Sequence, residues 1–139
     1  MRCRTLFAAL CFHLLALSIG CSDARPGLAP VSGKVTYADG SVPTGEVATI
    51  RFEPAGDLNA KNVQPASGTI QPDGTFNLMT HKPDDGALVG DYKVTFVIYK
   101  TYKGREPVLA KMFTDRATTP HSATVKPGKN YFEFSVGKL

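Results

Sequence analysis

From Val31 to Val136 runs of apolar and polar residues alternating with a period of two recur, and this limits the fold more than any other feature of the chain. Successive side chains of a strand point to opposite faces, so such alternation marks sheets with one buried and one wet face. "VSGKVTY" sets Val31, Val35 and Tyr37 against Ser32, Lys34 and Thr36. "ATIRF" sets Ala48, Ile50 and Phe52 against Thr49 and Arg51, and "GTI" with "GTFNLM" puts Ile70, Phe76 and Leu78 inward. "YKVTFVIY" sets Tyr92, Val94, Phe96 and Ile98 against Lys93, Thr95, Val97 and Tyr99. The last run, "NYFEFSV", offers Phe132 and Phe134 against Tyr131, Glu133 and Ser135, and alternation alone leaves open which set faces the core. Helical periodicity is absent from this whole region.

The turn residues agree with strands. Asp39-Gly40 suits a tight hairpin turn that needs positive φ. Gln71-Pro72-Asp73-Gly74 suits a type I turn, with proline presetting φ and glycine closing it, and Pro127-Gly128 suits type II. Short strands separated by such turns predict an all-β fold, an antiparallel β-sandwich of about seven strands. With no tryptophan, the chain lacks the Cys-Trp-Cys set of immunoglobulin domains.

Ahead of the strands lies a different kind of segment. Arg2 and Arg4 form a short positive start, Leu6 to Ile19 is apolar apart from His13 and Ser18, and Ser18 and Gly20 are small. That run is too short to span a membrane comfortably, which takes about 20 apolar residues, and its layout is that of an export signal. The expected organisation is a signal peptide over 1–20, an anchored cysteine and tether over 21–30, and one folded domain over 31–139. All three cysteines, Cys3, Cys11 and Cys21, lie at or before the cut, so the exported domain has no pair to oxidise. Half of the formal charge of +4 belongs to Arg2 and Arg4, so the basic balance implies no nucleic-acid partner.

The stretch "LLALSIGCSD" around Cys21 resembles a bacterial lipobox, with Ser18 at the usual leucine position and Leu17 one place early. An ordinary signal peptidase would cut the same bond; the difference is whether Cys21 carries lipid. Two or three acyl chains, at about 0.8 kcal/mol per buried CH₂, make release negligible, so Cys21 is expected to hold the chain on membrane lipid. "SDARPGLAP" then reads as a short tether.

The blocks "VSGKVTYADGS", "ASGTIQPDGTFNL", "DGALVGDYKVTF" and "TTPHSATVKPGKNYFEFSV" resemble a carboxypeptidase regulatory-like domain of the transthyretin-like sandwich type. More narrowly they are similar to small single-domain lipoproteins of planctomycete-type bacteria. The resemblance covers nearly all of Val31 to Val136. It implies the sandwich fold and a non-catalytic accessory module, since such domains share no active site. His121 stands where an aliphatic residue is expected after Thr118-Thr119-Pro120. A transthyretin-like hydrolase would carry a C-terminal Tyr-Arg-Gly-Ser motif, whereas this chain reads "SVGKL" there.

The remaining chemistry is sparse. His81 and His121 stand in turn-like contexts without a third ligand at metal spacing, and they read as surface loop histidines. Asp84-Asp85-Gly86 with Asp91 offers oxygens, but the spacing matches no defined calcium loop. Neither a metal nor a cofactor is expected. The run "YKTYKGREPVLAKMFTDR" interleaves cations with aromatics, and Tyr99, Tyr102, Lys100, Lys103 and Arg105 are its candidate ligand-binding residues. Outside the cytoplasm such a cluster suits an envelope glycan, another envelope protein or an anionic lipid surface better than nucleic acid. The expected function is a membrane-anchored, non-enzymatic cell-envelope lipoprotein acting as a structural or ligand-binding module. A carbohydrate-binding module using the loop aromatics is the alternative, and a transthyretin-like hydrolase comes third.

Overall fold

Nine strands follow one another in the computed structural model, which describes residues 27–58 and 64–139. The expected signal segment and Cys21 lie outside the described residues. The strands are β1 (Leu28–Ala29), β2 (Val31–Tyr37), β3 (Val47–Pro54), β4 (Ala66–Thr69), β5 (Thr75–Asn77), β6 (Ala87–Leu88), β7 (Gly90–Tyr99), β8 (Ser122–Val125) and β9 (Asn130–Val136). A single 3₁₀ turn, η1 (Lys111–Phe113), lies between β7 and β8.

Two sheets share the core. One has the order β5-β2-β9 and the other β4-β3-β7-β8, while the two-residue strands β1 and β6 pair with each other. Setting that short pair aside leaves seven strands, as the alternation predicts. The inner faces meet through aromatic rings. Phe52 of β3 lies 5.8 Å from Phe132 and 6.0 Å from Phe134 of β9, and Phe96 of β7 lies 5.7 Å from Phe134. The question left open in "NYFEFSV" is thereby answered: Phe134 and Val136 are buried, while Tyr131, Glu133 and Ser135 are exposed. Val31, Val35, Tyr37, Ile50, Phe52, Ile70, Phe76, Leu78, Tyr92, Val94, Phe96 and Ile98 are all buried as expected.

Two features correct the sequence reading. The sandwich is not wholly antiparallel, because β2 pairs with β9 in parallel from Val31↔Asn130 to Tyr37↔Val136. The cause is where the turns lead. Gln71–Gly74 carries the chain from β4 to β5, and Pro127-Gly128 carries it from β8 to β9, in each case from one sheet to the other. Asp39-Gly40 likewise ends β2 without pairing it to β3. The turns themselves form as predicted, with Gly40, Gly74 and Gly128 at φ 82°, 86° and 91° and hydrogen bonds from Gly40 N–H to the Tyr37 carbonyl and Gly74 N–H to the Gln71 carbonyl. The second correction concerns the stretch read as tether. Leu28 and Ala29 form β1, paired with Leu88 and Ala87, and Ala29 is buried. Apolar contact with the core makes them part of the folded unit.

At Gly33, the middle strand β2 lies too close to its neighbours β9 and β5 in the same sheet for a side chain. A Cβ there would run into the Phe132 carbonyl of β9 and stand 2.7 Å from the Phe76 ring. Only glycine lets β2 lie between its neighbours under that ring. At the start of β7, the Tyr92 hydroxyl donates to the Leu88 carbonyl at 2.8 Å. A tyrosine tied back to backbone a few residues upstream is a recurrent corner device of β-sandwiches.

These registers define two ends. Gly27 to Pro30, the loop from Leu78 to Val89 and the Lys126–Lys129 turn lie at the end where β2 and β7 begin. The segments 38–46, 70–74 and 100–106 lie at the other, where β2 and β7 finish. β7 alone has 10 residues, so the ends are roughly 30 Å apart at about 3.3 Å per residue.

Candidate functional site

The candidate residues Tyr99 to Arg105 occupy a tight reversal at the far end. Lys100 N–H donates to the Glu106 carbonyl at 3.0 Å, Arg105 N–H to the Thr101 carbonyl at 3.2 Å, and Gly104 N–H to Thr101 Oγ1 at 3.1 Å. Arg105 takes the left-handed backbone conformation, φ 48°. The Glu46 carboxylate accepts the Tyr102 N–H at 2.7 Å and ties the tip to the loop before β3. After the tip the chain returns along β7, with Tyr99 bridged to Pro107 and Val108 N–H donating to the Ile98 carbonyl at 3.1 Å. Leu109 then bridges to Lys138. The returning segment thus joins the edge of one sheet to the chain that follows β9.

A shallow cleft of about 560 Å³ opens beside this segment on the outer face of β3 and β7. Its cations are Arg51 from β3, Arg105 from the tip and Lys111 from η1, all exposed. Its floor is apolar, made by Val97, Pro107 and Leu109, and the half-buried Tyr99 ring forms part of the wall. Arg51 stands on the wet face of β3 for the reason read from "ATIRF": its neighbours Ile50 and Phe52 point into the core.

Of the five candidates, Tyr99 and Arg105 line the cleft and the others do not. Lys100 pairs with Glu106 at 3.5 Å. Tyr102 is 75% exposed on the tip, with Lys103 exposed beside it. Arg116, from the same basic run, braces the end of β3, where its Nη2 donates to the Pro54, Ala55 and Gly56 carbonyls at 2.7, 3.1 and 3.1 Å. Arg51 enters from a strand about 50 positions earlier in the chain, and no local pattern links it to Tyr99.

The acids of the far end are engaged elsewhere. Asp39 accepts from the Ser41 hydroxyl and N–H and from Lys138 Nζ at 3.1 Å, and these bonds, the Ser41 hydroxyl first, hold its carboxyl down at about 2. Asp73 accepts from the Thr75 hydroxyl and N–H, which lower its pKa in the same way. Glu106 pairs with Lys100 and Glu46 holds Tyr102. Among the described residues Arg51, Arg105 and Lys111 make no ion pair, so three cations without a paired carboxylate line the cleft, together with Thr114 and Leu139.

The other candidate chemistry resolves into structural roles. The His121 reading as a surface loop residue is corrected. Its ring packs 5.4 Å from Phe134, 5.6 Å from Phe96 and 5.7 Å from Phe113, with Nε2 2.9 Å from the Ser135 carbonyl. Burial pushes its imidazole below the ordinary value, against the opposing pull of the Ser135 carbonyl. This explains a histidine in an aliphatic position: it fills the gap between the edges of the two sheets and caps a β9 carbonyl. His81 is exposed in the loop at the N-terminal end. The Asp85 carboxylate accepts the Thr80, His81 and Lys82 N–H groups. Burial opposes its ionisation, yet those N–H groups together outweigh it and lower the pKa. Asp91 accepts from the Thr124 hydroxyl at 2.6 Å, so it does not join Asp85. Among the described residues, no three His, Cys, Asp or Glu side chains gather as metal ligands would.

No protein-family model and no curated protein matches the chain. Among solved structures it is similar to the crystal structure of a DUF3823 family protein from Parabacteroides merdae, with 21% identity and a TM-score of 0.47 over 81% of this chain. The match covers 47% of that protein, so this chain spans about half its length.

Proposed function

We propose that this chain is a membrane-anchored, non-enzymatic module of the bacterial cell envelope, a carboxypeptidase regulatory-like sandwich that presents a binding surface away from the lipid. The observation that carries this reading is the opposition of the two ends. The chain emerges at Gly27 beside Leu88, while Tyr99 and Arg105 lie where β7 finishes, roughly 30 Å away. With acyl chains on Cys21, five residues separate that cysteine from Gly27, and the six steps reach at most about 22 Å. The Tyr99–Arg105 end then faces outward. Lys82, Lys126 and Lys129 are exposed at the N-terminal end, where the carboxylates of Asp57, Asp84, Asp85 and Asp91 balance them, so the reading rests on the position of the chain entry and not on a basic face.

The non-enzymatic part of the reading is supported by the roles that the polar side chains already fill. Among the described residues His121, Arg116 and Asp85 bond backbone and Asp91 accepts from the Thr124 hydroxyl, so these four groups are engaged within the fold. The test is the intact mass of the native membrane form. A chain beginning at Cys21 with diacylglycerol and acyl mass is expected, and Cys21→Ala should release the protein from the membrane fraction. A chain beginning at Cys21 with no added mass would end the anchored reading.

A further inference from the structure

We infer that the cleft between Arg51, Tyr99, Arg105 and Lys111 binds a linear acidic polysaccharide, one whose sugar units carry carboxylates; this rests on the envelope reading for the ligand's location. Three cations line one open cleft and none has a carboxylate partner among the described residues. Guanidinium groups present paired donors that match the two oxygens of a carboxylate, so Arg51 and Arg105 suit that group better than lysines would. The exposed Pro107, the half-buried Val97 and the Tyr99 ring, lying over the buried Leu109, offer a surface for the C–H face of a sugar ring. Charge and apolar surface therefore lie side by side, as an acidic sugar requires.

The alternatives fit less well. A small ligand is normally enclosed over most of its surface, whereas every cation here is exposed on an open cleft. Single-stranded nucleic acid uses successive aromatic platforms, and this cleft has one ring, since Tyr102 stands out on the tip. A lipid surface would be met by the opposite end of the sandwich.

Titration calorimetry on the purified full chain in detergent, at low salt, tests the inference with polygalacturonate as the probe. Dextran, poly-glutamate, oligodeoxythymidylate and phosphatidylglycerol vesicles serve as comparisons. Polygalacturonate should bind and dextran should not. Arg51→Gln combined with Arg105→Gln should weaken binding about tenfold or more, equivalent to roughly 1.4 kcal/mol. Tyr99→Leu, which keeps apolar bulk but removes the ring, should weaken it about fivefold, close to 1 kcal/mol. Lys103→Gln removes one charge from the exposed tip and should change affinity less than about twofold. Circular dichroism on each variant separates lost binding from lost folding. Absence of polygalacturonate binding overturns the inference. So does equal or tighter binding of poly-glutamate, oligodeoxythymidylate or the vesicles, or a Lys103→Gln effect as large as that of the arginine pair. An unacylated Cys21 with intact binding would overturn the anchored reading and leave this site standing.

Discussion

Replacing Phe134 by alanine removes the ring on which both sheets close. Phe134 is 6% exposed, and its ring lies 6.0 Å from Phe52, 6.3 Å from Phe76, 5.7 Å from Phe96, 6.1 Å from Phe132 and 5.4 Å from His121. A buried phenylalanine withdraws about 150 Å² or more from water, which at about 25 cal/mol per Å² contributes about 4 kcal/mol. That agrees with the range of roughly 3–5 kcal/mol for Phe→Ala in cores. Against a total of about 5–15 kcal/mol for a domain of this size, the loss leaves a fold that is marginal. With a urea m-value of about 2 kcal/mol per M, the unfolding midpoint should fall by about 2 M. Tyr131 is the control. It is 61% exposed on the opposite face of β9, and Tyr131→Ala should change stability by no more than about 0.5 kcal/mol. Urea unfolding followed by circular dichroism reads both. A Phe134→Ala cost under about 1 kcal/mol, or a Tyr131→Ala cost exceeding it, would refute the register of β9, because a one-residue slip exchanges the two faces.

Two further outcomes follow from the packing. Burial holds the His121 imidazole below its usual 6.5, so the unfolded chain takes up a proton at higher pH than the folded one. Its contribution to stability is therefore complete above about pH 6.5 and is lost as pH falls from there through the folded value. Urea midpoints at about pH 7.5 and about pH 5 should differ more for the wild type than for His121→Phe, and identical differences would remove His121 as the cause. Gly33→Ala should cost about 3 kcal/mol or more in the same assay, since the added methyl meets the backbone of β9 as well as the Phe76 ring. A loss under about 1 kcal/mol would show that β2 and β9 are not held as closely as the structure has them.

Strand positions were legible because alternation is a local record of burial. "VSGKVTY" and "YKVTFVIY" each bury the predicted set, but Thr95, read as wet, is also buried, its hydroxyl donating to Glu53 at 3.0 Å. The turns were legible for a similar reason: a left-handed φ at Gly40, Gly74 and Gly128 depends on the absence of a Cβ at that one residue. His121 was misread because its partners, Phe96, Phe113 and Phe134, come from three separate segments. The site was half legible. Tyr99 and Arg105 came from one basic, aromatic run, but Lys100, Tyr102 and Lys103 in the same run turn away from the cleft, and Arg51 arrives from another strand.

Residue order by itself determined most of the longer strands, which face of nearly every one of them is wet, and where the chain must reverse, whereas the short β1, β6 and β8 do not stand out in it. Each of those depends on groups within a few positions of one another. Which sheet each strand joins, the parallel pairing of β2 with β9, and the gathering of Arg51, Arg105 and Lys111 were decided only in three dimensions. A turn reverses the chain equally well within a sheet or between two sheets, and the choice is made by how the Phe52, Phe96, Phe132 and Phe134 rings fill the space between them.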